Sequence, residues 1–153
     1  MVVLASLPEI MQNNLTGLDC PVFESEPWVR GGPLKDRRIA VLSSAGIHRR
    51  DDKHFVGGDA GYRVIPQETV HGDLTMSHVS VNYDRTAFQQ DLDSILPLQH
   101  LKDMAEEGVI GSVASNHYSF MGATDPRTME DNARQLAGEL KADNVDTVVL
   151  IPV

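Results

Sequence analysis

Cysteine is nearly missing from this sequence: its 153 residues contain one, Cys20. A lone thiol excludes an internal disulfide framework and any metal site assembled from several cysteines. Basic clusters are missing too. Lys and Arg number 13 against 22 Asp and Glu, giving a net charge of -9, and Arg37-Arg38 and Arg49-Arg50 are pairs rather than patches. Nucleic-acid backbones and anionic membrane surfaces demand clustered cations, so neither is an expected partner. No apolar run approaches the roughly 18 residues of a membrane span, and residues 1–10 lack the basic start and apolar stretch of a signal peptide. The expected location is the cytoplasm. Two catalytic signatures are absent as well. Ser43 or Ser44 could in principle join a Ser/His/Asp set, but there is no G-x-S-x-G elbow, and the glycine-rich 57–61 segment lacks the Lys-Ser/Thr of a phosphate loop and reads as a turn.

What is present is a chain of one domain's size, 41% hydrophobic and long enough to bury a core by itself. Residues 1–36, punctuated by Pro8, Pro21, Pro27, Gly31, Gly32 and Pro33, read as a lead-in wrapping the domain edge or a neighbour, with one short helix over 7–14. Residues 37–153 read as a single α/β domain. Strands are expected at 35–44, 62–65, 78–81, 109–114 and 145–151, helices at 97–107 and 125–140, and a loop over 115–122. Helix, short stop and apolar strand occur twice in succession, the rhythm of a parallel sheet with right-handed crossovers. The predicted fold is therefore a three-layer α/β sandwich with a mainly parallel sheet, Rossmann-like or flavodoxin-like.

In open α/β sheets, ligands gather beyond the carboxyl ends of the strands. Three loops expected at such ends carry most of the polar chemistry: 44–48 with His48, 77–84 with His78, and 116–122 with His117. Histidine transfers protons near neutral pH, orients substrates and binds metals, so the three together could form an acid/base or anion-binding pocket. The plainer alternative is that each satisfies a loop backbone group. His78, Asp84 and His117 could also make a two-His, one-carboxylate metal site, but their spacing matches no local motif, and no metal is expected. Cys20, in the lead-in and away from the expected strand ends, is expected to be inert.

The same loops carry a resemblance. The succession KDRRIAVLSSAGIH, DDKHF, GYRVIP, SHVSVNYD, DLDSILPLQHLKDMAEEGVIGSVASNHYSFMG and VDTVVLIPV resembles the selenoprotein B family of the glycine/sarcosine/betaine/D-proline reductases, especially its short, D-proline-reductase-like members. It covers about residues 35–153, with several blocks in one order. The resemblance implies a selenol- or thiol-dependent reductase that cleaves a carbon–nitrogen bond in a small amino-acid-derived substrate. Electrons would come through a dithiol donor and, in some systems, a pyruvoyl-bearing partner subunit. His48, His78 and His117 are then the candidate catalytic groups, and Ser44, Gly46, Tyr83, Asp84 and Tyr118 the candidate substrate-binding ones.

In the resembled family the strand matching 148–153 leads directly into a selenocysteine- or cysteine-containing C-x-x-C motif. No cofactor is expected within these 153 residues; the selenocysteine or cysteine pair is expected just after Val153. A UGA codon read as stop would explain this end, with engineered truncation and a natural degenerate paralogue as alternatives. On that expectation the final strand–helix units and the nucleophile are missing, and the chain as given is inactive in reduction. A low-pKa chalcogenolate suits such a position, because a helix N-terminus following a strand stabilises its charge. A second reading is a non-catalytic ligand-binding or assembly subunit using the same rim. Other reductase-complex subunits are expected partners in the first case, and an exposed last strand gives the chain a reason to form homo-oligomers.

Overall fold

The computed structural model describes residues 4–153 apart from 18, 20, 23, 25, 81, 82 and 84. In chain order the strands are β1 Arg38–Ser43, β2 Ile47–Arg49, β3 Tyr62–Pro66, β4 Leu74–Met76, β5 Ser112–Val113, β6 Asn116–Phe120 and β7 Thr147–Ile151. The α-helices are α1 Glu9–Thr16, α2 Thr86–Gln90, α3 Leu98–Glu106 and α4 Glu130–Ala142.

β1 is the axis of the sheet. The carbonyls of Arg37 and Ile39 accept from the amides of Ser112 and Ala114, whereas the carbonyl of Arg38 accepts from Asp146 and the amide of Ser44 donates to Ile151. Successive residues of a strand direct their backbone groups to opposite edges, so β5 and β6 share one edge of β1 and β7 holds the other. All three pair with it in parallel. β3 adds an antiparallel strand outside β6, and β2 with β4 forms a separate antiparallel pair. The class is mixed α/β with a mostly parallel sheet.

Alternation along β1 explains how both faces are used. Ile39 and Val41 pack with Ile65, Val149 and the α3 residues Leu98 and Leu101. Leu42 belongs to the other face with Tyr118, Phe120, Leu136 and Leu140, the last two from α4. α3 buries its stripe because Leu98, Leu101, Met104 and Ala105 recur at helical spacing. Pro97 precedes it, and Gly108 follows with φ 72°, a left-handed conformation that ends a helix cheaply only for glycine. Each fully buried leucine here stabilises the fold by about 1.5–3 kcal/mol.

Several expected boundaries shift. Residues 116–120, expected as loop, form β6. Its alternation of Tyr118 and Phe120 with His117 and Ser119 has period two, but the polar members are buried rather than solvated. The strand expected over 78–81 is not seen in its described residues 78–80; the chain pairs earlier, through β4, and Val81 lies outside the described residues. The 109–114 strand is reduced to β5. The 125–140 helix begins with a 3-10 turn, Pro126–Met129, capped by Asp125 accepting from the amide of Arg127, and continues as α4. The short lead-in helix is α1, while α2 was not expected.

Candidate functional site

The parallel strands β1, β6 and β7 end together, and their last residues are tied. The Ser44 hydroxyl accepts from the Val153 amide at 2.8 Å, the Ser44 carbonyl accepts from the Gly122 amide at 2.9 Å, and Gly46 donates to the Phe120 carbonyl at 2.9 Å. Two glycines are needed for this closeness. A Cβ on Gly122 would stand 2.8 Å from the Ser44 carbonyl oxygen; Gly46, at φ 66°, has the His78 backbone 3.3 Å from where its Cβ would be. On the α4 side the rim opens into a mostly apolar cleft lined by Leu42, Ser44, Phe120, Gly122, Thr124 and Met129. Ser44 and Gly46 are thus at the expected carboxyl-end rim, beside Val153.

The three histidines are placed very differently, and their hydrogen bonds fix which ring nitrogen carries the proton. His48, on β2, is fully buried. Its Nδ1 faces the Arg49 carbonyl at 2.7 Å, and because a carbonyl can only accept, Nδ1 holds the hydrogen. Nε2 of the neutral ring is then an acceptor, and the Ser77 hydroxyl at 2.8 Å donates to it. The exposed His54 ring lies 4.8 Å from the His48 ring, centroid to centroid.

His78 is 5% exposed. Its Nδ1 accepts from the Ser80 amide at 3.2 Å, so the hydrogen sits on Nε2, which is buried and has no partner among the described residues. The Tyr83 ring is 5.1 Å away. Burial, reinforced by the Arg85 guanidinium, holds the His78 imidazole below its ordinary pKa. Arg85 also donates to the His78 carbonyl at 2.6 Å.

His117 is not at the rim. It lies within β6, where the parallel register slips: Arg38 and Ile39 pair with Ser112 and Val113, but Leu42 and Ser43 pair with Tyr118 and Ser119. The β5–β6 edge has gained two residues on β1, which strands the amide of Val41. His117 Nδ1 accepts that amide at 3.0 Å, in the manner of a side chain filling a bulge. Burial pushes its pKa down to about 4, with the Lys102 charge adding to the effect.

Tyr118 points to the other face of the sheet. It packs edge-on against Tyr62 at 5.7 Å, and burial, followed by the Glu139 charge, pushes its pKa up to about 12. Asp84 and Cys20 lie outside the described residues. Cys20's neighbours are informative nonetheless: Asp19 and Pro21 line a cleft with 122–127, and Asp19 pairs with Arg127 at 2.9 Å. The lead-in therefore reaches the carboxyl rim. The structure brings Ser44, Gly46 and His78 together, sets His48 behind Ser77, and leaves His117 and Tyr118 elsewhere. Ser77 was overlooked because a serine beside a histidine is ordinary; its signal lies in the pairing of β2 with β4, which no local pattern encodes. Among the described residues no cluster of His, Cys, Asp and Glu is placed to hold a metal, and no helix is long and apolar enough to cross a membrane.

The family described as glycine/sarcosine/betaine reductase selenoprotein B matches residues 32–152. D-proline reductase subunit gamma of Acetoanaerobium sticklandii is 32% identical over 120 residues, covering 76% of this chain and 49% of that protein. Glycine reductase complex component B subunit gamma of Peptoclostridium acidaminophilum is 34% identical over 145 residues, covering 85% and 31%. Sarcosine reductase complex component B subunit beta of the same organism is 25% identical over 142 residues, also covering 85% and 31%. The chain thus spans about half the length of the first relative and about a third of the other two. No solved structure matches it.

Proposed function

The chain belongs to the glycine/sarcosine/betaine reductase selenoprotein B family, and from that premise we propose that it is a subunit of a selenol- or thiol-dependent reductase complex. The substrate is a small amino-acid-derived molecule, and the reaction is reductive cleavage of its carbon–nitrogen bond. We read the helices on both sheet faces as part of a Rossmann-like three-layer arrangement, whose ligand seat is the carboxyl-end rim. The observation that carries the proposal is the convergence there of β1, β6 and β7, with Ser44 gripping Val153. The selenocysteine or cysteine pair implied by the resemblance would join the rim next to Val153, supplying the chalcogen nucleophile, with a dithiol as electron donor.

At that rim Ser44 offers a hydroxyl, Gly46 lets the His78 backbone pack close, and His78 presents an Nε2 hydrogen shielded from water. Shielded donors act more strongly on developing charge than exposed ones. Tyr83 and Asp84 follow His78 closely in sequence and are proposed to complete the substrate contacts. The 153 residues alone are proposed to be inactive in reduction, since their one thiol is Cys20. The test compares this chain with a form extended past Val153 with cysteine in the redox positions, each combined with the other complex subunits and a dithiol. Turnover of D-proline or glycine is expected only for the extended form. Equal turnover by the 153-residue chain would overturn the placement of the nucleophile. Inactivity of both would favour the assembly-subunit reading, to which the 61% exposure of Leu150 on β7 lends support.

A further inference from the structure

The Ser77–His48 pair is not explained by packing alone. His48 is fully buried, yet both ring nitrogens are engaged by polar partners. The arrangement has a direction: the Arg49 carbonyl fixes the hydrogen on Nδ1, Nε2 is left as the basic atom, and Ser77 must point its O–H at it. An orienting acceptor, an imidazole and a hydroxyl at 2.8 Å is the geometry in which a base withdraws a proton from an oxygen. Ser77 is also anchored at the rim, because its amide donates to the Gly46 carbonyl at 3.0 Å. Gly46 has no side chain, and the His78 backbone packs 3.3 Å from where its Cβ would stand, which holds the Ser77–His78 segment against the rim.

We propose that Ser77 is the proton donor of the site and that His48, acting through it, is the buried proton store. This deepens the reductase reading and rests on it for its substrate. In the donating direction Nε2 first takes a proton from solvent; the imidazolium Nε2–H bond then breaks as an O–H bond forms at Ser77, and the former serine proton is passed to the departing nitrogen. That nitrogen takes the electron pair of the carbon–nitrogen bond, gains the proton, and the positive charge leaves His48. The two electrons come from the selenol–thiol or dithiol pair of the reductase reading. The exposed His54 ring lies tilted against the His48 ring at 4.8 Å. Phe55 meets the His48 ring edge-on at 6.1 Å, with the Arg63 guanidinium 4.2 Å above the Phe55 ring.

The pairing can be measured without turnover. In the 153-residue chain carrying Cys20→Ser, Ser77→Cys places a single thiol against His48, and its alkylation rate by iodoacetamide is followed against pH. A thiol facing an imidazole ionises as a thiolate–imidazolium pair, so its pKa is expected at least one unit below the 8.5 of free cysteine. His48→Gln in that background should restore the ordinary value, with circular dichroism reporting that both variants are folded. In the wild-type chain, a fluorophosphonate probe should label Ser77 with a rate rising through the histidine range and falling about 100-fold in His48→Gln. If His48→Gln does not fold, the Ser77→Cys profile alone decides. An ordinary thiol pKa overturns the relay whatever the complex does. A depressed pKa, with no reduction by any extended preparation, overturns the reductase reading and leaves the relay standing. With an active complex, Ser77→Ala should lower kcat and abolish the histidine limb of its pH profile; an unchanged profile removes Ser77 from the reaction.

Discussion

At the scale of the single residue, His117 shows how a histidine can be indispensable without touching a ligand. Its Nδ1 replaces the strand partner that the amide of Val41 lost at the slipped register. Leaving that buried amide unsatisfied costs about 1–3 kcal/mol. Burial lowers the folded-state pKa to about 4, against 6.5 in the unfolded chain, so the unfolded state binds more protons between these values. The stabilisation is complete above pH 6.5 and is lost progressively as pH falls towards 4. Urea midpoints measured at pH 7 and pH 5 should therefore fall on acidification. In His117→Asn, whose amide oxygen can still accept from Val41, most of that pH dependence should vanish. A midpoint in the wild type that does not move over this range would show that folding leaves the His117 pKa unchanged. The sequence made His48, His78 and His117 equivalent, because each stands among small and hydroxyl residues. What separates them is which backbone group lies opposite, and that depends on strands remote in the chain.

At the scale of the element, β1, α3 and β7 were legible because their apolar residues recur with one period and their neighbours do not interrupt it. β6 was hidden because half of its inward-facing groups are polar. Ser119 is satisfied by the Ile47 amide at 2.8 Å and His117 by Val41, so burial and polarity coexist where a pattern of apolar residues expects neither. The opposite side of β6 is held to α4 through Tyr62, whose hydroxyl donates to Glu139, while Tyr118 lies beneath. Burial is the larger cause of the raised Tyr118 pKa and the Glu139 charge the smaller. Glu139→Gln should thus lower the Tyr118 pKa from about 12 but keep it above 10, as followed by tyrosinate absorbance. The same variant should weaken the strap between β3 and α4 by about 1 kcal/mol, the usual worth of a hydrogen bond to a charged group after solvent screening. A Tyr118 pKa at the ordinary value in Glu139→Gln would mean that charge, not burial, dominates.

At the scale of the whole molecule, β7 leaves one edge without a strand among the described residues, and its outer face is greasy. Leu150 is 61% exposed and Trp28, from the lead-in, 85%; both line one shallow cleft with Val29 and Val148. Such an edge with such a face invites association. Leu150→Lys should shift the protein towards the monomer in sedimentation velocity, and at dilutions where both are monomeric its unfolding temperature should match the wild type, because little of that side chain is buried. A wild type that is already monomeric at tens of micromolar would remove this surface from consideration as a self-association site. The class of fold and its carboxyl-end rim were readable from the order of helices and strands. The antiparallel β3, the β2–β4 pair and the Ser77–His48 contact were not, since they join segments separated by irregular chain. The position of β1 has one more consequence, for the order of events on the ribosome. β1 is synthesised well before β5, β6 and β7, the strands that fill its two edges. Until those segments emerge, Ile39 and Val41 have no sheet to join, and loop closure over so long a span is slow. A nascent chain must therefore carry an open, apolar strand until β7 has emerged, which makes it a natural client for chaperones that shield such strands.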